Sequence, residues 1–227
     1  MRRNAINDNL NEAIEEVRLI STYKKISKPK VQTIFGYLRS SLDYLAQDIN
    51  SKLKAPKRSP NFPYGKDEEA FKDSINRYFP KLEEELPEIY KEVQNIQGFK
   101  LKDDWLYKLC CLNNKTKHDN AIEVKHEEDR KTINVYAGGV GLIQIVGNSS
   151  GRVMNNTVYG QRVDDFICDN GEVFVTKKGE LPLDFQITND KKILIGDELL
   201  DLIPFLNKCI ENITVFIDKI YVLLDKL

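Results

Sequence analysis

The sequence has few residues of the kinds that bind metals or form covalent intermediates. It contains only two histidines, His118 and His126, and four cysteines with no Cys-x-x-Cys spacing. Two of the cysteines, Cys110 and Cys111, are adjacent, and neighbouring cysteines rarely form a disulfide with each other. We therefore expect reduced thiols, no metal site and no cofactor.

Long apolar runs and common catalytic motifs are also missing. No window approaches the roughly 18 consecutive apolar residues of a membrane span, and residues 1–5 do not lead into an apolar signal core. The Gly-Gly-Val-Gly sequence at 138–141 lacks the following helix and the Lys-Ser pair of a phosphate-binding loop, so it predicts a turn. There is no Gly-x-Ser-x-Gly elbow. We expect a cytoplasmic protein that does not contact membranes.

The charge is nearly balanced overall but unevenly distributed. The formal net charge is −1, yet residues 1–66 hold 13 Lys and Arg against 6 Asp and Glu, while residues 67–99 hold 4 against 9. Part of the positive excess lies in the run Lys-Leu-Lys-Ala-Pro-Lys-Arg at 52–58. This run could contact a phosphate backbone, or it could simply be a solvated loop.

Helical periodicity dominates both ends of the sequence, and strand-like alternation dominates its middle. Apolar residues recur every three or four positions over 8–25, 31–53 and 102–112, and again from about Asp197 to the end. Short alternating segments fill 120–195, where Asp-Asn-Gly at 169–171 favours a tight hairpin. The apolar residues at 31–53 and after 197 form two long rows, or seams, which are expected to pack together. The sequence predicts an α+β fold: a helical bundle of residues 1–119 and 196–227, with a β-rich insertion at 120–195.

A polar cluster at 113–118 carries the first candidate catalytic residue. The ordinary pKa of a histidine, about 6.5, would let His118 exchange a proton near neutral pH. Alternatively, His118 is a surface residue whose ring caps the carbonyls at a helix C-terminus.

A second candidate pair lies on the second predicted helix. Arg39 and Asp43 are four residues apart, so they share a face and can form an ion pair. Either the two residues form an exposed surface ion pair, or at least one of them points into the bundle. A guanidinium inside the bundle would need an anion such as a substrate phosphate or a carboxylate.

Together, the Leu-Arg-Ser-Ser-Leu-Asp-Tyr-Leu segment at 38–45, the Asn-Phe-Pro-Tyr turn at 61–64 and the Asn-Lys-Thr-Lys-His segment at 114–118 resemble a bacterial branch of the HEPN-like helical-bundle proteins. The resemblance covers about residues 30–120 and the last helix. It implies a homodimer in which an Arg-polar-x-x-x-His motif cleaves RNA without metal. In that motif the histidine handles the proton of the 2′-hydroxyl, and the arginine contacts the phosphate.

Carried onto this sequence, the resemblance makes His118 the catalytic histidine and Asn114 the polar residue, while Asn113 stands where the motif has arginine. The missing cation would come from Lys115, Lys117 or Arg39. We therefore predict His118, Asn114, Lys117 and Arg39 as catalytic residues, and Asp43, Lys115 and Asn113 as substrate-binding residues.

Two functions follow from these observations. The first is a HEPN-like RNA- or nucleotide-binding protein, acting as a metal-independent ribonuclease of a defence or toxin–antitoxin type. The alternative is a non-catalytic interaction module whose β insertion binds a protein partner. A distance of about 6 Å between Arg39 and His118, near a cleft or a two-fold axis, would favour the ribonuclease.

Overall fold

Apolar seams at helical spacing and short alternating segments form eight helices and eleven strands within the described residues. The computed structural model describes residues 1–23, 26–118, 123–126, 130–170, 172–190 and 192–227, with side chains except at 117, 118, 126, 130, 131 and 188–190. The helices are α1 (Arg3–Tyr23), α2 (Lys28–Asn50), α3 (Glu68–Tyr78), α4 (Leu82–Glu85), α5 (Pro87–Asn95), α6 (Gly98–Leu101), α7 (Trp105–His118) and α8 (Leu202–Leu224). The strands are β1 (Val124–His126), β2 (Arg130–Ala137), β3 (Val140–Val146), β4 (Gly151–Val153), β5 (Thr157–Val158), β6 (Gln161–Arg162), β7 (Asp165–Asp169), β8 (Glu172–Lys177), β9 (Leu183–Asp190), β10 (Ile193–Ile195) and β11 (Leu200–Asp201). The predicted α+β class, with a helix after the strands, is confirmed.

The described chain divides into two compact units. One, the helical unit, comprises Met1–Lys125 and Ile193–Leu227, and the other, the β unit, comprises His126–Lys192. The sequence-based boundaries were 119/120 and 195/196. Among the described residues, no helix has the length and apolar character needed to cross a membrane.

Helices α2 and α8 form the centre of the helical unit, as their apolar seams predicted. The rings of Phe35 on α2 and Phe205 on α8 lie 6.4 Å apart, and farther along the two helices the Tyr221 hydroxyl donates to Asp48 Oδ2 at 2.8 Å. These two contacts fall in the same order along both helices, so α2 and α8 run parallel. Leu38 and Leu42, which belong to the α2 seam, are fully buried in the core of the helical unit.

The start of the chain is tied to the C-terminal ends of α2 and α8. Asp48 accepts hydrogen bonds from the Arg2 amide at 2.6 Å and the Arg2 side chain at 3.1 Å, in addition to the one from Tyr221. Arg3 pairs with Asp225, and its guanidinium carbon lies 4.2 Å from the centre of the Tyr221 ring. A buried carboxylate is therefore stabilised by three donors, and α1 runs antiparallel to α2 and α8.

The β unit consists of antiparallel strands around its own apolar core. One sheet has the strand order β3-β2-β9, and another has the order β4-β7-β8. Strands β5 and β6, which lie between β4 and β7 in the sequence, pair only with each other. Ile133, Val135 and Ile145 of the first sheet pack against Phe166 and Cys168 of the second. The two sheets therefore face each other across a shared apolar layer.

The β7–β8 hairpin fits the prediction made from its turn residues. Asp169 pairs with Glu172 across the ladder, and Asn170 has a φ of 49°, in the left-handed region that asparagine tolerates. Gly171, the other predicted turn residue, lies outside the described residues.

The start of the last helix was predicted too early in the sequence. We expected helix from about Asp197, but α8 begins at Leu202, and the preceding residues form a turn and the short strand β11. Gly196 has a φ of 68° and Leu199 a φ of 50°, and neither value is compatible with a right-handed helix. Pro204 then lies in the first turn of α8, where its missing N–H breaks no helical hydrogen bond.

Candidate functional site

Arg39 is the centre of a buried hydrogen-bond network that joins α2, α7 and the connection between α2 and α3. The residue is only 7% exposed, in the middle of the apolar face of α2. Its Nε donates to Asp43 Oδ2 at 3.1 Å, and its Nη2 lies 2.8 Å from Asp43 Oδ1. The two residues pair as predicted, with the Arg39 side chain inside the bundle and the Asp43 side chain partly exposed.

The remaining donors of Arg39 bind two other segments. Nη1 donates to Cys110 Sγ on α7 at 3.0 Å, and Nη2 donates to the carbonyl of Phe62 at 3.1 Å. Asp43 closes the network, because its Oδ1 accepts from the Phe62 amide at 2.8 Å. The Arg39–Asp43 pair thus holds both backbone groups of Phe62 and fixes the 61–64 turn against α2 and α7.

The network is electrostatically consistent at neutral pH. Burial raises the pKa of the Cys110 thiol to about 11, against the opposing effect of the nearby Arg39 charge. Cys110 is therefore a neutral thiol that accepts weakly from Arg39, and the charge of Arg39 is balanced by Asp43. All three guanidinium nitrogens contact protein groups, which makes Arg39 a positioning residue for the turn.

The turn presents Tyr64 to α7. The Tyr64 ring centre is 5.2 Å from the guanidinium carbon of Arg39 and 6.2 Å from the ring centre of Tyr107. Its hydroxyl accepts a hydrogen bond from Asn114 Nδ2 at 3.1 Å. Burial, the largest cause, raises the Tyr64 pKa, so the phenol stays protonated at neutral pH and keeps its own donor.

The buried side-chain amide of Gln97 also holds this segment. Gln97, at the N-terminus of α6, accepts from the Gly65 amide at 3.2 Å and donates to the Pro63 carbonyl at 3.3 Å. Phe62 is fully buried, and its ring packs edge-on against Phe216 of α8 at 5.6 Å. The segment is thus held at Phe62, Pro63 and Gly65, on both sides of Tyr64, so Tyr64 has little freedom to move away from Asn114.

The cluster on α7 separates into a buried and an exposed face. Asn113 is 1% exposed, and its Oδ1 has no hydrogen-bond partner within the described part of the structure. Asn114, the next residue, is exposed. The predicted substrate-binding residue Asn113 therefore lies in the interior, whereas Asn114 faces outward beside Tyr64.

Two other predicted residues have different surroundings. Lys115 is exposed and pairs with Asp197 at 2.9 Å, a contact that raises the pKa of the lysine and lowers that of the aspartate. The backbone of His118 ends α7 one turn beyond Asn114. The side chains of Lys117 and His118 lie outside the described part of the structure, so the predicted proximity of Arg39 and His118 stays a prediction.

A cavity lies beside the part of α7 that carries Tyr107, Cys111 and Lys115. Its volume is about 240 Å³, and Tyr107, Cys111, Lys115 and Gly196 are among the residues that line it. Tyr107 also lines a more open groove with Gly65. Sequence reasoning missed Tyr107 and Cys110, although both occur at helical spacing before Asn114, on the helix that carries the candidate motif.

The chemistry available here is hydrogen bonding, aromatic contact and positive charge. Asn114 and Tyr64 provide neutral donors, Tyr107 an aromatic face and Lys115 a cation, which are groups that can contact phosphates and bases. Among the described residues, no three His, Cys, Asp or Glu side chains come together in a way that could hold a metal ion.

Comparison with family models, curated proteins and solved structures found no match to this chain. The fold and site therefore define an α+β protein whose helical unit carries a pre-formed polar surface at the C-terminal half of α7.

Proposed function

We propose that this protein is a HEPN-like, RNA- or nucleotide-binding protein that cleaves RNA without a metal ion. The supporting observation is the Arg39–Asp43 network, which fixes Tyr64 against Asn114 one helical turn before His118. Such rigid positioning of donors is what electrostatic stabilisation of a charged transition state requires. The proposal includes a cytoplasmic location, a homodimer and a role of a defence or toxin–antitoxin type.

In the proposed reaction, neutral His118 removes the proton of a ribose 2′-hydroxyl. The 2′-oxygen then attacks phosphorus, and the bond to the 5′-oxygen breaks as that oxygen takes up a proton from water. His118 afterwards returns its proton to the solvent. The products are a 2′,3′-cyclic phosphate and a 5′-hydroxyl. Asn114 and Lys117 would stabilise the charge that develops on the phosphate, while Arg39 and Asp43 hold the surface without touching the substrate.

The test is cleavage of a single-stranded RNA, labelled at its 5′ end, in buffer that contains a chelator. The parent protein should give fragments ending in 2′,3′-cyclic phosphate, and His118→Ala should not. His126→Ala, which removes the only other histidine, is the matched control and should cleave like the parent. Equal cleavage by the His118→Ala protein would contradict the proposal.

A specific observation also favours the alternative function, a binding module without catalysis. Asn113 replaces the arginine of the motif, and the β unit exposes large apolar side chains, among them Phe174 at 48% and Ile187 at 56%. If this alternative holds, neither RNA binding nor cleavage will be found. A partner that copurifies with the parent protein will then be lost from the variant Phe174→Ser/Ile187→Ser.

A further inference from the structure

The connection that follows α2 contains a loop, residues 51–58, whose backbone is held from the interior of the helical unit. Asn50 is buried and forms two hydrogen bonds with one residue: its Nδ2 donates to the Lys57 carbonyl at 2.8 Å, and its Oδ1 accepts from the Lys57 amide at 2.9 Å. Leu53 is buried in the core, and the Lys54 amide donates to Glu85 Oε2 at 2.8 Å. We name residues 51–58 the basic loop.

Four of the side chains on this backbone are cationic, and they have no partner among the described residues. Lys54, Lys57 and Arg58 are exposed and Lys52 is half-buried. None of the four forms an ion pair or a side-chain hydrogen bond within the described part of the chain. The Glu85 carboxylate, which contacts the loop, is bound to a backbone amide and not to an ammonium group. The loop thus carries four cationic side chains without ion-pair partners among the described residues, on a backbone that is held by hydrogen bonds.

We infer that the basic loop binds the sugar–phosphate backbone of RNA, an inference that rests on the proposed function for its choice of polyanion. Cations on a pre-ordered loop gain by neutralising successive phosphates and releasing counterions. The loop is also continuous with the candidate site, since Arg58 and Tyr64 are six residues apart and so at most about 21 Å apart. On this inference, an RNA strand bound to the loop extends to Tyr64 and Asn114.

The test measures binding of a fluorescent 20-nucleotide single-stranded RNA at several salt concentrations, in a His118→Ala background and with a chelator, so that the probe stays intact. The loop variant replaces Lys52, Lys54, Lys57 and Arg58 by glutamine. The control variant removes the same charge from exposed side chains of the α3–α6 region. Its substitutions are Arg77→Gln, Lys81→Gln, Lys91→Gln and Lys100→Gln.

The expected result is a change in salt dependence. Each phosphate contact with single-stranded nucleic acid contributes about −0.7 to the slope of log K against log salt, so four contacts contribute about −2.8. Raising the salt from about 50 to 200 mM should therefore weaken binding by the protein with an intact loop about 50-fold more than binding by the loop variant. The control should keep the slope of the intact loop. Asn50→Ala, which keeps all four charges, should weaken binding because the loop is no longer held.

Failure of this inference is distinguishable from failure of the proposed ribonuclease. If the loop variant keeps the affinity and slope of the intact protein, or the control loses as much, the loop assignment is overturned while His118-dependent cleavage still stands. If binding depends on the loop but His118→Ala cleaves RNA like the parent, the loop assignment is supported and the ribonuclease mechanism is not. Circular dichroism of both quadruple variants checks that their fold is unchanged.

Discussion

Removal of the Asp43 carboxylate tests whether the buried network, rather than apolar packing alone, fixes the 61–64 turn. Asp43→Ala leaves the Arg39 guanidinium buried without its carboxylate and leaves the Phe62 amide without its acceptor. Breaking a buried ion pair in this way costs about 3–5 kcal/mol of unfolding free energy. The Asp43 side chain is 26% exposed, so water compensates part of the loss, and we expect about 3 kcal/mol.

The assay is urea unfolding of a double-mutant cycle with Arg39→Met. Once either residue has been replaced, replacing the other should lower the free energy of unfolding by less. The double variant should therefore be about 2 kcal/mol more stable than the sum of the two single losses predicts. Hydrogen exchange of the Phe62 amide gives a local measurement, and this amide should exchange faster in Asp43→Ala. Glu15→Ala, which removes an exposed ion pair with Arg18, is the control and should leave stability unchanged.

Two results would refute this reasoning. One is additivity of the two substitutions within about 0.5 kcal/mol, which is expected only of residues that do not interact. The other is a protected Phe62 amide in Asp43→Ala, which would mean that apolar packing alone holds the turn.

The remaining predictions concern thiols, an alkaline transition and the core. Native protein should react rapidly with a thiol reagent at one cysteine, Cys111, because the other three are buried; Cys111→Ser should abolish the fast phase, and a fast second thiol would contradict the structure. Burial and the hydrogen bond to Asp48 raise the pKa of Tyr221 above its ordinary value of 10, so the stability that this tyrosine contributes is complete below pH 10 and falls as the pH rises further. Alkaline unfolding of the parent should therefore be steeper than that of Tyr221→Phe, by at most about 1.4 kcal/mol per pH unit. Leu42→Ala, in the fully buried seam of α2, should cost about 2–5 kcal/mol in urea unfolding, and a loss below 1 kcal/mol would contradict the packing of α2.

The large elements follow from local patterns, and the site contacts do not. The seams of α2 and α8 repeat every three or four residues over six turns, so their helices and their mutual packing are visible in the sequence. The partners of Arg39 are different, because Phe62 is 23 residues away and Cys110 is 71 residues away. No periodicity relates positions so distant, and only the folded chain brings them together.

One feature of the site was open to prediction and was missed. Asn113 lies four residues after the buried Leu109, so helical spacing alone puts it on the buried face of α7, and Asn114 one position farther round. The start of α8 was less predictable. In the sequence its apolar seam extends back to Leu199, but that residue has a positive φ that only the folded turn determines.

We propose above all that the surface around Asn114 and His118 cleaves RNA without metal. The most direct test of this proposal is the single-turnover rate of RNA cleavage with chelator present, for the parent, His118→Ala and His126→Ala. The proposal predicts a loss of about 10²–10⁴-fold in His118→Ala and no change in His126→Ala. No cleavage by the parent, or equal rates for the parent and His118→Ala, would contradict it.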